Sequence, residues 1–335
     1  MNLSTLVVRD IEQTYGSLTH CVVALIRWAG GNATYRDVNA ALGLSLRTVA
    51  VTHGTEPALW TTYACDRFLK DAAAHWGVRL RELHPPEAAE GLSGHTSFDQ
   101  HFDASYLPLI RSALKHEQPV LAWQGWPDAR APLWGIITGE CDERLGISGT
   151  TMWSHGRPVP LMRPAAQLYV VEEIDLNPPD DETLFRGAVA RLATGLRGAG
   201  ASDPAHSNVV WGDRAYEVWL ERMEQYEQRT REQHEDGRGH VQHARGISDD
   251  RMAGMAFFRH FRDGADGEDR DLIDAILAEC RGEIDVLGTL RDRHDVAVLI
   301  RTPQGRSALA SGIAAARSFE RALAGAVETL AKRIL

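Results

Sequence analysis

Cysteine is scarce in this chain: Cys21, Cys65, Cys141 and Cys280 are scattered over 335 residues. No two of them form a Cys-x-x-Cys pair, so the spacing of a zinc ribbon or a thioredoxin-type site is excluded. Four dispersed thiols do not build a disulfide scaffold in a chain this long, and reduced cysteines are expected. Long apolar runs are missing as well. No stretch of about 18 apolar residues occurs, so neither a transmembrane helix nor a membrane partner is expected. Residues 1–10 lack the charged start and extended apolar segment of a signal peptide, which makes a cytoplasmic protein the expectation. A basic excess is also absent. The formal net charge is −10, which offers nucleic acid no broad electrostatic attraction. Arginines such as those in 291–295 alternate with acids and read as solvated helix faces. The glycine-rich stretch 195–200 lacks the Lys-Ser/Thr ending of a phosphate-binding loop and reads as a helix end.

What is present is an ordinary globular composition, 44% hydrophobic and 24% charged, in a chain long enough for more than one domain. The first half mixes signals. Val22, Leu25, Ile26 and Ala29 share one face of a helix, with Thr19 the expected N-cap and Gly30-Gly31 the stop. A short helix is predicted over 35–43 and a stronger one over 60–76, where Tyr63, Ala64, Phe68 and Ala72 align. A strand over 79–84 ends at Pro85-Pro86, residues 87–102 read as a loop, and 106–116 as a helix. From Pro119 the pattern changes to strands over 120–123, 134–139, 145–153 and 167–174. Strands this close, with no helix between them, predict an antiparallel sheet. Residues 175–183, with Pro178-Pro179 and three aspartates, are the expected linker. Beyond it helices are predicted over 185–197, 211–234, 249–262, 268–291 and 303–334. The last carries Leu309, Ile313, Ala316, Phe319, Leu323, Val327 and Leu330 as a stripe that packs inside a bundle. The expected organisation is therefore an α+β domain over 1–177 and a mostly helical domain over 178–335.

Cys21 is the strongest nucleophile candidate. The predicted helix places it in the first turn, where unpaired N–H groups and the helix dipole favour a thiolate. The competing reading is a buried cysteine acting as a small hydrophobe. The segment Thr19-His20-Cys21-Val22-Val23-Ala24-Leu25 resembles the cysteine helix of the butirosin-biosynthesis protein H N-terminal and peptidase C39-like families. Pro119-Val120-Leu121-Ala122-Trp123 and Leu133-Trp134-Gly135-Ile136-Ile137-Thr138-Gly139-Glu140-Cys141-Asp142 resemble their "PVL … HW-x-x-I-x-GYD" strand pair. Residues 167–172 resemble a later strand, and 211–219 the "G-x-x-A-Y-x-x-W" helix of large bacterial members.

The resemblance implies a papain-like fold and a Cys–His pair, with the histidine deprotonating the thiol and a third group orienting it. Asp142 falls on the Asp of "GYD". The expected histidine, however, falls on Leu133, which cannot move a proton, and the only nearby upstream glutamine is Gln13, eight residues before Cys21. Three alternatives stay open: another histidine (His20, His53, His101 or His155) serves as base, the alignment is shifted, or catalysis is lost and a binding cleft remains.

Trp123, Trp126 and Trp134, with Gln124 and Asp128, read either as a small-molecule cleft or as core packing. His240 and His243 sit three apart, near His234, Glu235 and Asp236, but Gly237 and Gly239 are expected to break a helix there. The spacing matches no metal motif. Neither metal nor cofactor is expected. The primary expectation is a cysteine-dependent acyltransferase or amidohydrolase acting on a small molecule or peptide. Cys21 is its nucleophile, His20 and Asp142 its partners, and Trp123, Gln124, Trp126 and Trp134 its substrate-binding residues. The alternative is a non-catalytic small-molecule-binding or assembly protein on a degenerate papain-like scaffold. A homodimer through the helical half is compatible with either.

Overall fold

The computed structural model describes residues 2–9, 14, 16–52, 68–83, 101–127, 133–197, 209–228 and 237–335. In chain order its elements are α1 (Ser17–Trp28), α2 (Tyr35–Ala41), β1 (Val49–Val51), α3 (Leu69–Ala74), β2 (Val78–Glu82), α4 (Leu107–Lys115), β3 (Val120–Trp123), β4 (Trp134–Glu140), β5 (Ile147–Thr151), β6 (Val159–Pro160) and β7 (Gln167–Ile174). Then follow α5 (Asp181–Leu196), β8 (Val209–Trp211), α6 (Asp213–Glu224), α7 (Gly237–Arg262), α8 (Gly267–Arg291), the single turn α9 (Val296–Leu299) and α10 (Pro303–Ile334). The protein is α+β. Its chain divides into two compact units, Met1–Val38 with Leu69–Pro179 and Asn39–Phe68 with Asp180–Leu335. No helix among the described residues is long and apolar enough to cross a membrane.

The first unit is built on a six-stranded sheet in the order β2-β7-β3-β4-β5-β6, with every neighbouring pair antiparallel. All four residues of β3 are buried, as a central strand covered on both faces requires. Strand periodicity sorts its neighbours. Val120, Ala122, Ile137, Leu168 and Val170 face one side, where Phe102, Leu107 and Ile110 at and before α4 pack with Leu133, Leu145 and Ile147. Trp126 joins that side by lying over Gly135, where a Cβ would come within 2.5 Å of the indole. Leu121, Trp123, Trp134, Ile136 and Tyr169 alternate to the other side. Helix α1 packs on β4, and Lys70 of α3 lies over the Tyr169 ring at 5.7 Å.

The second unit pairs β1 with β8, Val49 opposite Trp211 and Val51 opposite Val209, and is otherwise helical. Helices α8 and α10 run antiparallel: Phe319 lies over Gly282, Thr289 beside Gly312, and Arg333 on Asp269. Each buries a residue every three or four positions, Ile273, Ile276, Cys280, Glu283, Leu287 and Leu290 on one and Leu309, Ile313, Ala316, Glu320, Leu323, Val327 and Leu330 on the other. That is the seam of a coiled-coil-like pair. The expected stripe on α10 holds with one change, because Glu320 and not Phe319 takes the fully buried place. Helix α7, buried nearly all round, packs against α8.

Several boundaries differ from expectation. Helix α1 is capped by Gly16, so Thr19 lies inside it. The expected linker ends within α5, where the Asp180 carboxylate accepts the Thr183 N–H at 2.7 Å. Helix α6 stops at Glu224, short of 234. Helix α7 starts twelve residues before 249, and Gly237 begins it because a Cβ there would come within 2.4 Å of the Ala297 nitrogen. The helix predicted over 60–76 is seen at its end as α3, while its residues 60–67, Pro85-Pro86 and all but the end of the loop predicted over 87–102 lie outside the described residues. His101 and Phe102 at that end are buried in a helical turn.

Candidate functional site

The start of α1 meets the start of β4. The Ser17 hydroxyl accepts the Trp134 backbone N–H at 3.0 Å, which fixes the first helical residue against the strand end. Cys21 lies four residues on, one full turn from the helix start and beyond the unpaired N–H groups. It is 0% exposed, and burial pushes its thiol well above the ordinary range. The expected first-turn thiolate is therefore corrected: the place beside β4 belongs to Ser17, and Cys21 is a neutral thiol in the core.

His20 does not act on it. Adjacent residues point about 100° apart around a helix, and the His20 ring turns to Thr14 Oγ1 (3.1 Å from Nε2) and to the Tyr35 ring at 4.8 Å. Burial lowers its pKa to about 4, so it is neutral near pH 7. Asp142 is exposed in the turn after β4. Eight residues of extended chain separate it from Trp134, roughly 25 Å from the end that meets α1. The three expected catalytic side chains are thus not assembled.

Among the described residues, the other candidate bases, His101 and His155, offer no substitute. His101 is buried edge-on to Tyr106, beside Phe102 of the opposite sheet face, and His155 is exposed in a turn with φ +50°. Leu133, where the resemblance leads one to expect a histidine, is a core residue of that opposite face. Cys141 is half-buried and donates to the Ile147 carbonyl at 3.2 Å, and Cys280 is a buried thiol pushed upward by desolvation. Gln13, His53, Cys65 and Asp128 lie outside the described residues, as do 198–200 of the glycine-rich stretch.

The four expected substrate-binding residues separate into two groups. Gln124 is a turn residue with φ +67° whose N–H closes the β3–β4 connection on the Leu133 carbonyl at 3.0 Å. Trp126 donates its indole N–H to the Ala122 carbonyl at 3.3 Å and belongs to the opposite face. Trp123 and Trp134 stand opposite each other with ring centroids 5.6 Å apart, on the face that carries α1. Gln167 on β7 completes their row.

A second constellation, missed from sequence, occupies the helical unit. Arg251 of α7 is fully buried and donates to Glu283 Oε2 at 2.6 Å, Glu320 Oε2 at 2.5 Å and Thr48 Oγ1 at 2.8 Å. Tyr216 donates to Glu283 Oε1 at 2.5 Å. Burial opposes the Arg251 charge, and Glu283, first among the groups that favour it, helps to outweigh that cost. Burial raises Glu320 to about 8, so that carboxyl is mostly protonated at pH 7. Below this layer the Trp219 indole donates to His240 Nδ1 at 2.8 Å and meets the His243 ring edge-on at 4.4 Å. His243 is lowered to about 3 by burial, then by His240, Arg222 and Arg47. The expected helix break at Gly237 and Gly239 is overturned, since both lie in α7 and His240 and His243 are core residues of it. Among the described residues no three His, Cys, Asp or Glu side chains are grouped to hold a metal; His234, Glu235 and Asp236 lie outside them. The signal that marks this network is faint but present: Glu283 and Glu320 interrupt otherwise apolar heptad positions.

Compared with known proteins, the chain matches no family model and no curated protein.

Proposed function

We propose that this chain is a non-catalytic binding or assembly protein built on a papain-like scaffold. The observation that carries the reading is the sealed Cys21: it has no exposed surface, its proton is held tightly, and neither His20 nor Asp142 faces it. A thiol enzyme needs a thiolate and a base within hydrogen-bond reach. The scaffold itself is supported by a helix whose first residue bonds to the start of an antiparallel strand, in the order helix then sheet. What such a scaffold retains after losing its base is a cleft at the strand ends. The occupant is a small molecule or peptide rather than nucleic acid, which a net charge of −10 repels.

The test is alkylation of the native protein across pH, read peptide by peptide. Cys21 is expected to stay unmodified through pH 9 and to react only when the protein unfolds, while half-buried Cys141 reacts in the native state. Native alkylation of Cys21 with a midpoint below the free-thiol value of about 8.5 would restore the enzyme reading.

A further inference from the structure

We infer that the cross-strand row Trp123, Trp134 and Gln167 recognises the carbonyl of an amide. The inference rests on the binding reading above and names what that cleft holds. The three residues are register partners on β4, β3 and β7, at the end of the sheet where β3 leaves and the other two enter. Trp123 is 0% and Trp134 1% exposed, yet neither indole N–H finds a hydrogen-bond partner among the described residues. Gln167 Oε1 is likewise buried and unpartnered, although the residue is only half-buried. Other indoles are satisfied: Trp28 donates to the Asn2 carbonyl at 3.1 Å, Trp126 to Ala122 and Trp219 to His240. Buried donors are nearly always paired, and an orphan in a native fold calls for a ligand or ordered solvent.

The chemistry of the row selects the ligand. Two indole N–H donors on paired strands, with ring centroids 5.6 Å apart, suit an sp² oxygen with two lone pairs. A carboxamide oxygen beside them accepts an N–H. An amide presents both groups in one plane, and the indole faces supply a surface for its apolar substituent. A carboxylate fits less well. Among the described residues, Lys70 lies over Tyr169 and is already engaged by Glu82 at 3.4 Å, and burying an anion costs far more than burying a neutral amide. The Trp134 main-chain N–H is already taken by Ser17, so the side chains alone read the ligand. Gln167 marks the side from which it enters.

The experiment follows the tryptophan indole N–H resonances of ¹⁵N-labelled full-length protein, with those of Trp123 and Trp134 assigned through W123F and W134F. Benzamide, benzoate and toluene are the probes. Both resonances are expected to move downfield and saturate with benzamide, at a concentration about tenfold lower than with benzoate, a factor set by the cost of desolvating an anion. Toluene should move neither. Gln167→Leu, a half-buried position that keeps the indoles in place, should weaken benzamide by about tenfold. Static resonances with benzamide, equal shifts with toluene, or tighter benzoate binding would each overturn the inference. Alkylation of Cys21 reports on the non-catalytic reading separately. A reactive Cys21 with responsive indoles removes that reading and keeps the site, and a sealed Cys21 with static indoles does the reverse.

Discussion

Replacing Glu320 by glutamine should stabilise the helical unit above neutral pH, although it removes one carboxyl from an arginine with two. Glu320 is 1% exposed, and its carboxyl is raised from 4.5 to about 8 by burial, against the pull of Arg251. A group whose folded pKa lies above its unfolded pKa binds its proton more tightly when folded. Its contribution is fully present below about 4.5 and is lost as pH rises through the window to about 8. Each pH unit within that window removes about 1.4 kcal/mol per proton, for a total of several kcal/mol. Glutamine keeps an acceptor for the Arg251 guanidinium and never ionises. The histidines bend the curve the other way: His20 and His243, lowered to about 4 and about 3 by burial, lose stability as pH falls below 6.5. They are common to both proteins and cancel in the difference. Urea denaturation followed by helical circular dichroism from pH 4.5 to 9 should therefore show E320Q near wild type at the acid end. It should be more stable by a few kcal/mol at pH 8. If Glu320 were instead an ionised partner of Arg251, the substitution would cost about 3–5 kcal/mol at neutral pH. A destabilised E320Q at pH 8, or two curves that stay parallel, refutes the protonated carboxyl.

Two further substitutions probe the packing that positions these groups. Trp219→Phe leaves His240 Nδ1 without its 2.8 Å donor in the core, and should cost about 1–3 kcal/mol beyond any loss of packing, read as a lower urea midpoint. Gly135→Ala drives a methyl into the Trp126 indole, and should cost about 1–3 kcal/mol by overpacking with loss of the near-ultraviolet tryptophan signal. An unchanged melting temperature in that variant would mean the indole is free to move.

Legibility followed the range of the interactions involved. The limits of β3, β7 and α10 were readable because each is written in local pattern: a short apolar run, an apolar run closed by Glu172-Glu173, and a heptad stripe from Leu309 to Leu330. The short strands β1, β6 and β8 were not, since two or three residues carry no periodicity and owe their pairing to distant partners. The start of α1 was misplaced because Thr19 is a better capping residue than Gly16 by propensity, while the choice was made by Ser17 and its bond to a strand 117 residues away. That shift of three residues moved Cys21 from the first turn into the core, and with it the chemistry expected of the chain. The tryptophans divided for a similar reason: spacing showed that they cluster, but only strand register put Trp123 and Trp134 on one face and Trp126 on the other.

The buried glutamates show why a stripe alone understates a bundle. Leucine at every seam position of α8 and α10 would satisfy burial and leave neighbouring registers close in energy, because apolar contacts are interchangeable. Glu283 and Glu320 remove that freedom. Each must reach Arg251, and a slip of either helix by one turn would strand a carboxyl or a guanidinium about 5 Å from its partner in a dry interior. Tyr216 and Thr48 extend the constraint to α6 and to the residue before β1, so the network around one arginine ties four helices to the entry of a strand. The short motif Ala215-Tyr216-x-x-Trp219 on α6 takes its meaning from this: its two aromatic residues deliver one hydroxyl and one indole N–H to adjacent layers of the same core, and an apolar residue at either position would fill the space without closing the network.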